Sequence, residues 1–288
     1  MNNIKKYLAY NKSVRVMAVD ATKMVQELRD IHNLSNLATA ALGRVAIVAS
    51  MIASTLKDED NRLTIQIKGD GPLGNIVVCA DQKLNIKGYV SNPQVELPLN
   101  SEGKLDVGKG VGIGTLTVIK DIGLKDPYVG TIELLTGEIG DDFAYYFNVS
   151  EQTPSVVSVG VLIGKDGNVQ SAGGYIIQPL PDCEDEVIDK LESVNIKLPS
   201  MTSLMSEGQT IDDIVVNATA DENIETVYEN EAKINCDCSL KRIQGTIIAL
   251  GKEEAMKIYE ENGKLELSCN FCNKKYEFSK DELDELFK

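Results

Sequence analysis

The chain has no tryptophan, a single histidine (His32) and an aromatic share of 5%. Stacking platforms for single-stranded nucleic acid are built from aromatic rings, so that mode of binding is not expected. Positive charge is also short: 29 Lys and Arg stand against 44 Asp and Glu, a net charge of −15 that repels phosphate backbones. Six cysteines in 288 residues do not make a disulfide scaffold. The first ten residues are polar and basic and lack the apolar stretch of a secretory leader, which points to a reducing cytoplasm. There, clustered cysteines mean metal or redox chemistry. His32 has no Ser or Cys partner nearby, and no nucleophile–base set or carboxylate pair stands out, so an enzyme is not expected. Residues 34–56 are apolar enough to suggest a membrane span. Arg44 near their centre, with Asn36, Ser50 and Ser54, predicts a helix buried in protein instead, and no membrane partner.

Charge divides what is present. Residues 181–231 hold 14 acidic and two basic side chains, a net of −12, whereas residues 1–180 and 232–288 are nearly balanced. This shift predicts three segments: 1–180, 181–231 and 232–288. The first reads as α+β, a large domain of mostly antiparallel sheet with covering helices. Leu63, Ile65 and Ile67 alternate with polar residues in a half-buried strand. Residues 75–80, 84–90, 115–120 and 128–134 read as further strands, and 141–164 as a helix and a strand in either order. In the acidic segment, Val187, Ile188, Leu191 and Val194 recur at helical spacing, and Thr210 can cap a helix starting at Ile211. Short helices of one charge sign are held mainly by docking on a neighbour, although a plain solvated linker has the same composition. The last segment is compact. Ser239 and Gly251 bracket one helix, Gly263 closes a second, residues 264–268 and 275–278 alternate like a hairpin, and Ser279 with Glu282 forms a capping box. A segment this small gains from a metal staple.

That segment carries Cys236-x-Cys238 and Cys269-x-x-Cys272. The second pair has zinc-knuckle spacing, a tight turn that aims two thiolates at one point. The first can converge on one ion only from an irregular backbone. Four thiolates suit tetrahedral Zn²⁺, one per chain, and an iron–sulfur cluster also accepts this set. Lys233, Lys241, Arg242, Lys274 and Lys275 flank the cysteines and can offset their charge. Spacing does not separate a purely structural zinc from a switch, but pairs this close can form local disulfides and lose the metal. Two glycine clusters resemble nucleotide loops only by letters. Gly69-Asp70-Gly71-Pro72-Leu73-Gly74 and the glycines at 108, 110, 112 and 114 are both followed by strands, so they are read as tight connections or bulges. Cys79 reads as a small hydrophobe in a strand, and Cys183, among Asp182, Glu184 and Asp185, as a bystander.

Taken in order, these features resemble a known family, the redox-regulated 33 kDa chaperonins (Hsp33-like). The resemblance runs through Ala40-Ala41-Leu42-Gly43-Arg44, Gly69 to Gly74, Gly88-Tyr89-Val90 with Asn92-Pro93, Ser150-Glu151-Gln152 with Pro154-Ser155, and Ala172-Gly173-Gly174-Tyr175 on to Gln178. It ends with Cys236-Asp237-Cys238-Ser239, Cys269-Asn270-Phe271-Cys272 and Tyr276-Glu277-Phe278; Leu240 departs from the charged residue expected there. The resemblance implies an ATP-independent holdase, zinc-bound and inactive when reduced. Oxidative stress would join Cys236 to Cys238 and Cys269 to Cys272, release the zinc and unfold the C-terminal domain and linker. Residues 1–180 would then be a substrate-binding and dimerisation core, 181–231 an acidic helical linker and 232–288 the redox-switch domain. The partners implied are unfolding client proteins and, in the active state, a second copy. The alternative from composition and motif alone is a zinc-ribbon regulatory or nucleic-acid-binding module, which the net charge opposes.

Overall fold

The structure, a computed structural model, describes residues 2–288. By its internal contacts the chain divides into Met1–Ile234 and Asn235–Lys288. In the first unit the order is β1 (Asn3–Ala9), β2 (Val14–Asp20), α1 (Thr22–His32), α2 (Asn36–Ala53), β3 (Arg62–Gly69), β4 (Ile76–Asp81), β5 (Asn85–Val90), α3 (Val107–Val111), β6 (Gly114–Asp121), β7 (Tyr128–Glu133), α4 (Gly140–Val149), β8 (Val156–Ile163) and β9 (Val169–Pro179). The acidic segment follows as α5 (Asp185–Lys197), α6 (Met201–Ser206), α7 (Ile211–Thr219) and β10 (Glu225–Glu231), and Lys233–Ile234 form β11.

Two sheets organise this unit. One runs β10-β1-β2-β9-β8 and is antiparallel throughout; the other runs β11-β5-β4-β3-β6-β7, antiparallel except where β11 joins β5. Helix α2 packs against β2, β8 and β9 of the first sheet and β3, β4 and β5 of the second. That position accounts for its composition. It is long and apolar enough to cross a membrane, yet 89% of it is buried inside the protein. The Ser35 side chain caps its first turn by accepting from Ala38 N, and Arg44 reaches outward to Glu138 Oε2 at 2.5 Å.

The sheet expectation is met in the second sheet, where Leu63, Ile65 and Ile67 face the core with Ile76, Val78, Leu116 and Val118. Residues 141–164 resolve as helix then strand. Three features depart from the sequence reading. Within the first ten residues, read as a polar, basic terminus, Asn3–Ala9 form β1, half of a hairpin whose turn holds Tyr10, Asn11 and Lys12 at positive φ. The glycine run at 108–114 overlaps the short helix α3, capped by Asp106 accepting from Lys109 N. The acidic segment is not wholly helical: Glu225–Glu231 pairs with β1, placing Glu229 opposite Lys5 and Tyr228 opposite Lys6, whose Nζ lies 4.0 Å from the Tyr228 ring centroid. An acidic strand against a basic one lowers the repulsion that helical spacing alone could not report.

The three helices dock as amphipathic elements on the outer side of the first sheet. Leu191, Met201, Leu204, Ile214, Val215 and Ala218 bury against Tyr7, Val14, Val16, Ala18, Tyr175 and Ile177. Asp212 accepts from the Tyr7 hydroxyl at 2.8 Å and from Lys5 Nζ at 2.7 Å.

Glycines are needed where the loops around β3 and β6 touch backbone to backbone. A Cβ on Gly114 would lie 1.8 Å from the Lys68 carbonyl oxygen, and one on Gly69 would lie 1.9 Å from that of Val111. Neither obstacle is a movable side chain. Gly114→Ala is therefore expected to cost about 2–3 kcal/mol, read as a lower denaturant midpoint; an unchanged midpoint would show that the loops give way freely.

The second unit contains α8 (Leu240–Leu250), α9 (Lys252–Asn262), the hairpin β12 (Leu265–Ser268) and β13 (Lys275–Phe278), and α10 (Lys280–Leu286). Its own core gathers Ile247, Ala255, Leu265, Tyr276, Phe278 and Leu283. Ser239 caps α8, and Ser279 with Glu282 forms the capping box of α10.

Candidate metal centre

Two local conformations bring four thiols together. The β12–β13 hairpin keeps regular pairing up to Ser268 opposite Lys275, and the Cys269 carbonyl then accepts from Cys272 N at 3.3 Å and Asn273 N at 2.8 Å. Asn273 takes the left-handed conformation (φ 57), which asparagine tolerates better than most residues. The return closes with Cys269 N donating to Lys274 O at 3.0 Å. This knuckle aims Cys269 and Cys272 the same way. Cys236 and Cys238 sit on a stretch with no regular secondary structure just before the cap of α8. Released from strand alternation, their side chains need not point to opposite faces.

The result is one cluster. The four sulfurs lie within 4.8 Å of one another, with Cys236 3.7 Å from Cys269 and Cys238 3.5 Å from Cys272. With Zn–S bonds of about 2.3 Å a tetrahedral site has sulfurs about 3.8 Å apart, so these spacings fit a four-thiolate zinc centre. Cys269 is buried and the other three are partly exposed, which leaves the cluster open to small solutes.

The thiols differ electrostatically. Burial pushes Cys236 and Cys272 up. Cys238 is held below the ordinary thiol range, chiefly because the Tyr276 hydroxyl donates to its sulfur at 3.2 Å, and the same bond pushes the Tyr276 phenol up to about 12. Of the flanking cations, Arg242 pairs with Asp237 at 2.5 Å, Lys275 with Glu266 at 2.9 Å, and Lys274 Nζ sits 5.2 Å from the centroid of the Tyr276 ring. Lys233 belongs to the larger unit, where it lies 3.9 Å from Glu231.

The other sequence candidates stay apart from this cluster. His32, Cys79 and Cys183 all belong to the larger unit. Cys79 Sγ lies 3.6 Å from Thr64 Oγ1, and Cys183 packs at the margin of the core beneath the acidic helices. Among the described residues no further group of potential ligands converges as these four do. Sequence reasoning missed the part played by Tyr276. The alternation of β13 does place Tyr276 and Phe278 on the buried side, but nothing in a strand pattern shows where a hydroxyl ends.

A profile of the Hsp33 protein family matches residues 2–279. The chain belongs to the Hsp33 family. A 33 kDa chaperonin of Thermoanaerobacter sp. (strain X514) is 48% identical over 281 residues, covering 97% of this chain and 96% of the relative. That of Clostridioides difficile (strain 630) is 45% identical over 280 residues, covering 96% of each. The crystal structure of a 33 kDa chaperonin from Thermotoga maritima superposes with a TM-score of 0.92 at 38% identity, covering 99% of this chain and 97% of that one. The sheet-rich larger unit, its helices and the C-terminal cysteine cluster are thus the architecture of a family of chaperonins.

Proposed function

We propose that this protein is a redox-regulated, ATP-independent holdase that protects unfolding proteins in the cytoplasm and catalyses no reaction. The observation that carries this reading is the convergence of Cys236, Cys238, Cys269 and Cys272 at the thiol spacing a Zn²⁺ ion requires. A bound zinc would supply a structural staple: it stabilises the deprotonated thiolates and ties the approach to α8 to the knuckle at the end of β12.

Under an oxidant such as peroxide, Cys236 joins Cys238 and Cys269 joins Cys272. Each disulfide removes two electrons from a thiol pair, and its sulfurs no longer serve as thiolate ligands. The reduced cluster has cross-pair contacts at 3.5 and 3.7 Å; the local pairing is the one that the family resemblance implies. Asn235–Lys288, once unstapled, loses its fold. The acidic segment, joined to it through β11, loses an ordered neighbour in the chain, and its net −12 favours departure from the sheet. Detachment of α5, α6 and α7 uncovers Val14, Val16, Ala18 and Ile177, an apolar sheet surface suited to unfolding chains and to a second copy of the protein in an active dimer.

The test follows zinc with a chromogenic chelator while peroxide and mild heat are applied, beside light scattering from an aggregating client. Zinc release and suppressed scattering should rise together. Oxidation that frees zinc while scattering stays unchanged sinks the chaperone switch.

A further inference from the structure

The sulfurs of the cluster are not equally protected. Cys238 Sγ accepts the Tyr276 hydroxyl at 3.2 Å. The ring that carries this hydroxyl is fixed from both sides. Tyr276 stands opposite Leu267 in the hairpin, and it packs into the core of the unit with Ile247, Leu265 and Phe278. Lys274 Nζ lies 5.2 Å from its centroid. A cation over an aromatic face draws density from the ring and makes a phenol a better donor. Such a hydrogen bond is stronger to a thiolate than to a thiol, and it ties up a lone pair that an oxidant must reach. Groups that hydrogen-bond to metal ligands tune both affinity and reactivity.

We infer that Tyr276 is a positioning residue that sets the oxidation threshold: its hydroxyl shields Cys238, so peroxide attacks another sulfur of the cluster first. This rests on the reading that the four cysteines hold zinc. In the attack, an unshielded thiolate sulfur bonds to one peroxide oxygen and the O–O bond breaks. The departing hydroxide takes a proton from solvent to become water. The sulfur, now a sulfenic acid, has lost two electrons and the peroxide has gained them. The thiolate of the neighbouring cysteine then displaces hydroxide from that sulfur to form the disulfide.

The experiment uses the full zinc-loaded chain in three forms: wild type, Tyr276→Phe, and wild type with 3-fluorotyrosine at position 276. Phenylalanine keeps the ring and removes the donor; fluorotyrosine keeps the shape and strengthens it. Zinc release under hydrogen peroxide gives the rate. Alkylation followed by mass spectrometry identifies the first cysteine oxidised, and chelator competition gives the affinity. For Tyr276→Phe we expect release about five- to tenfold faster, Cys238 among the first sites oxidised, and zinc bound about tenfold more weakly. The fluorotyrosine chain should release zinc about twofold more slowly than wild type. A ring that serves packing alone would leave the fluorotyrosine chain identical to wild type. Equal rates and the same first site in all three forms overturn the inference while leaving the zinc reading intact. A wild-type chain that binds no zinc overturns both.

Discussion

Stripping zinc from the reduced protein is expected to unfold Asn235–Lys288 while Met1–Ile234 keeps its sheets. The smaller unit buries only Ile247, Ala255, Leu265, Tyr276, Phe278 and Leu283 as its core. Six side chains, one of them alanine, do not offset the ordering of a segment this long without a staple. Structural zinc contributes on the order of 10–16 kcal/mol of apparent binding energy in small domains, enough to decide whether the unit folds. Amide exchange should show α8, α9, α10 and the β12–β13 hairpin losing protection on chelation, with β3, β4 and β6 unchanged. Cys269→Ser isolates the sulfur, because the backbone acceptor that shapes the knuckle, the Cys269 carbonyl, is retained. That variant should bind zinc at least about 100-fold more weakly. Unchanged affinity would remove Cys269 from the ligand set, and full protection after chelation would show that the unit needs no metal.

Replacing Asp142 should substantially destabilise the larger unit. Its side chain has no exposed surface. One carboxylate oxygen accepts from the backbone N–H groups of Leu135, Thr136 and Gly137, and the other accepts from Ile139 N at 2.9 Å. The loop from β7 to α4 is thus wound around a buried anion. It holds Ile139 at φ 72, a conformation costly for a β-branched residue, and Gly137 at the same φ. It also presents Glu138, which binds Arg44 of α2 and accepts from Gly108 N at 2.9 Å. Asn in place of Asp removes the charge and sets an amide NH₂ against backbone donors. Asp142→Asn should cost about 2–4 kcal/mol and lower the melting temperature of the larger unit by roughly 5–15 °C, with zinc affinity unchanged. A shift of less than about 2 °C would mean that the loop does not depend on the carboxylate.

The legible parts of the fold were those in which local pattern and burial agree. Strand β3 alternates cleanly because one face is core, and α2 is apolar all round because both sheets cover it. The caps at Ser239 and Ser279 are local chemistry and stand where the residues place them. Strand β10 was not legible, since Glu225–Glu231 has little apolar content and owes its conformation to pairing with β1. Helix α3 lies in a glycine-rich run where propensity argues against a helix, and its five residues persist because the glycines admit close backbone approach to the loop after β3.

The same division holds at the cysteines. Their number, type and spacing suffice for a four-thiolate metal set, because ligand chemistry and the tight C-x-x-C turn are local properties. The excess of negative charge in residues 181–231, and the need of those helices for a partner, also follow from composition. Tertiary structure alone brings Cys236 within 3.7 Å of Cys269, more than thirty residues away, and sets the Tyr276 hydroxyl on Cys238. It also chooses the sheet surface that the acidic helices cover. Those are contacts between elements whose approach depends on the packing of the whole unit, and no window of sequence contains both partners.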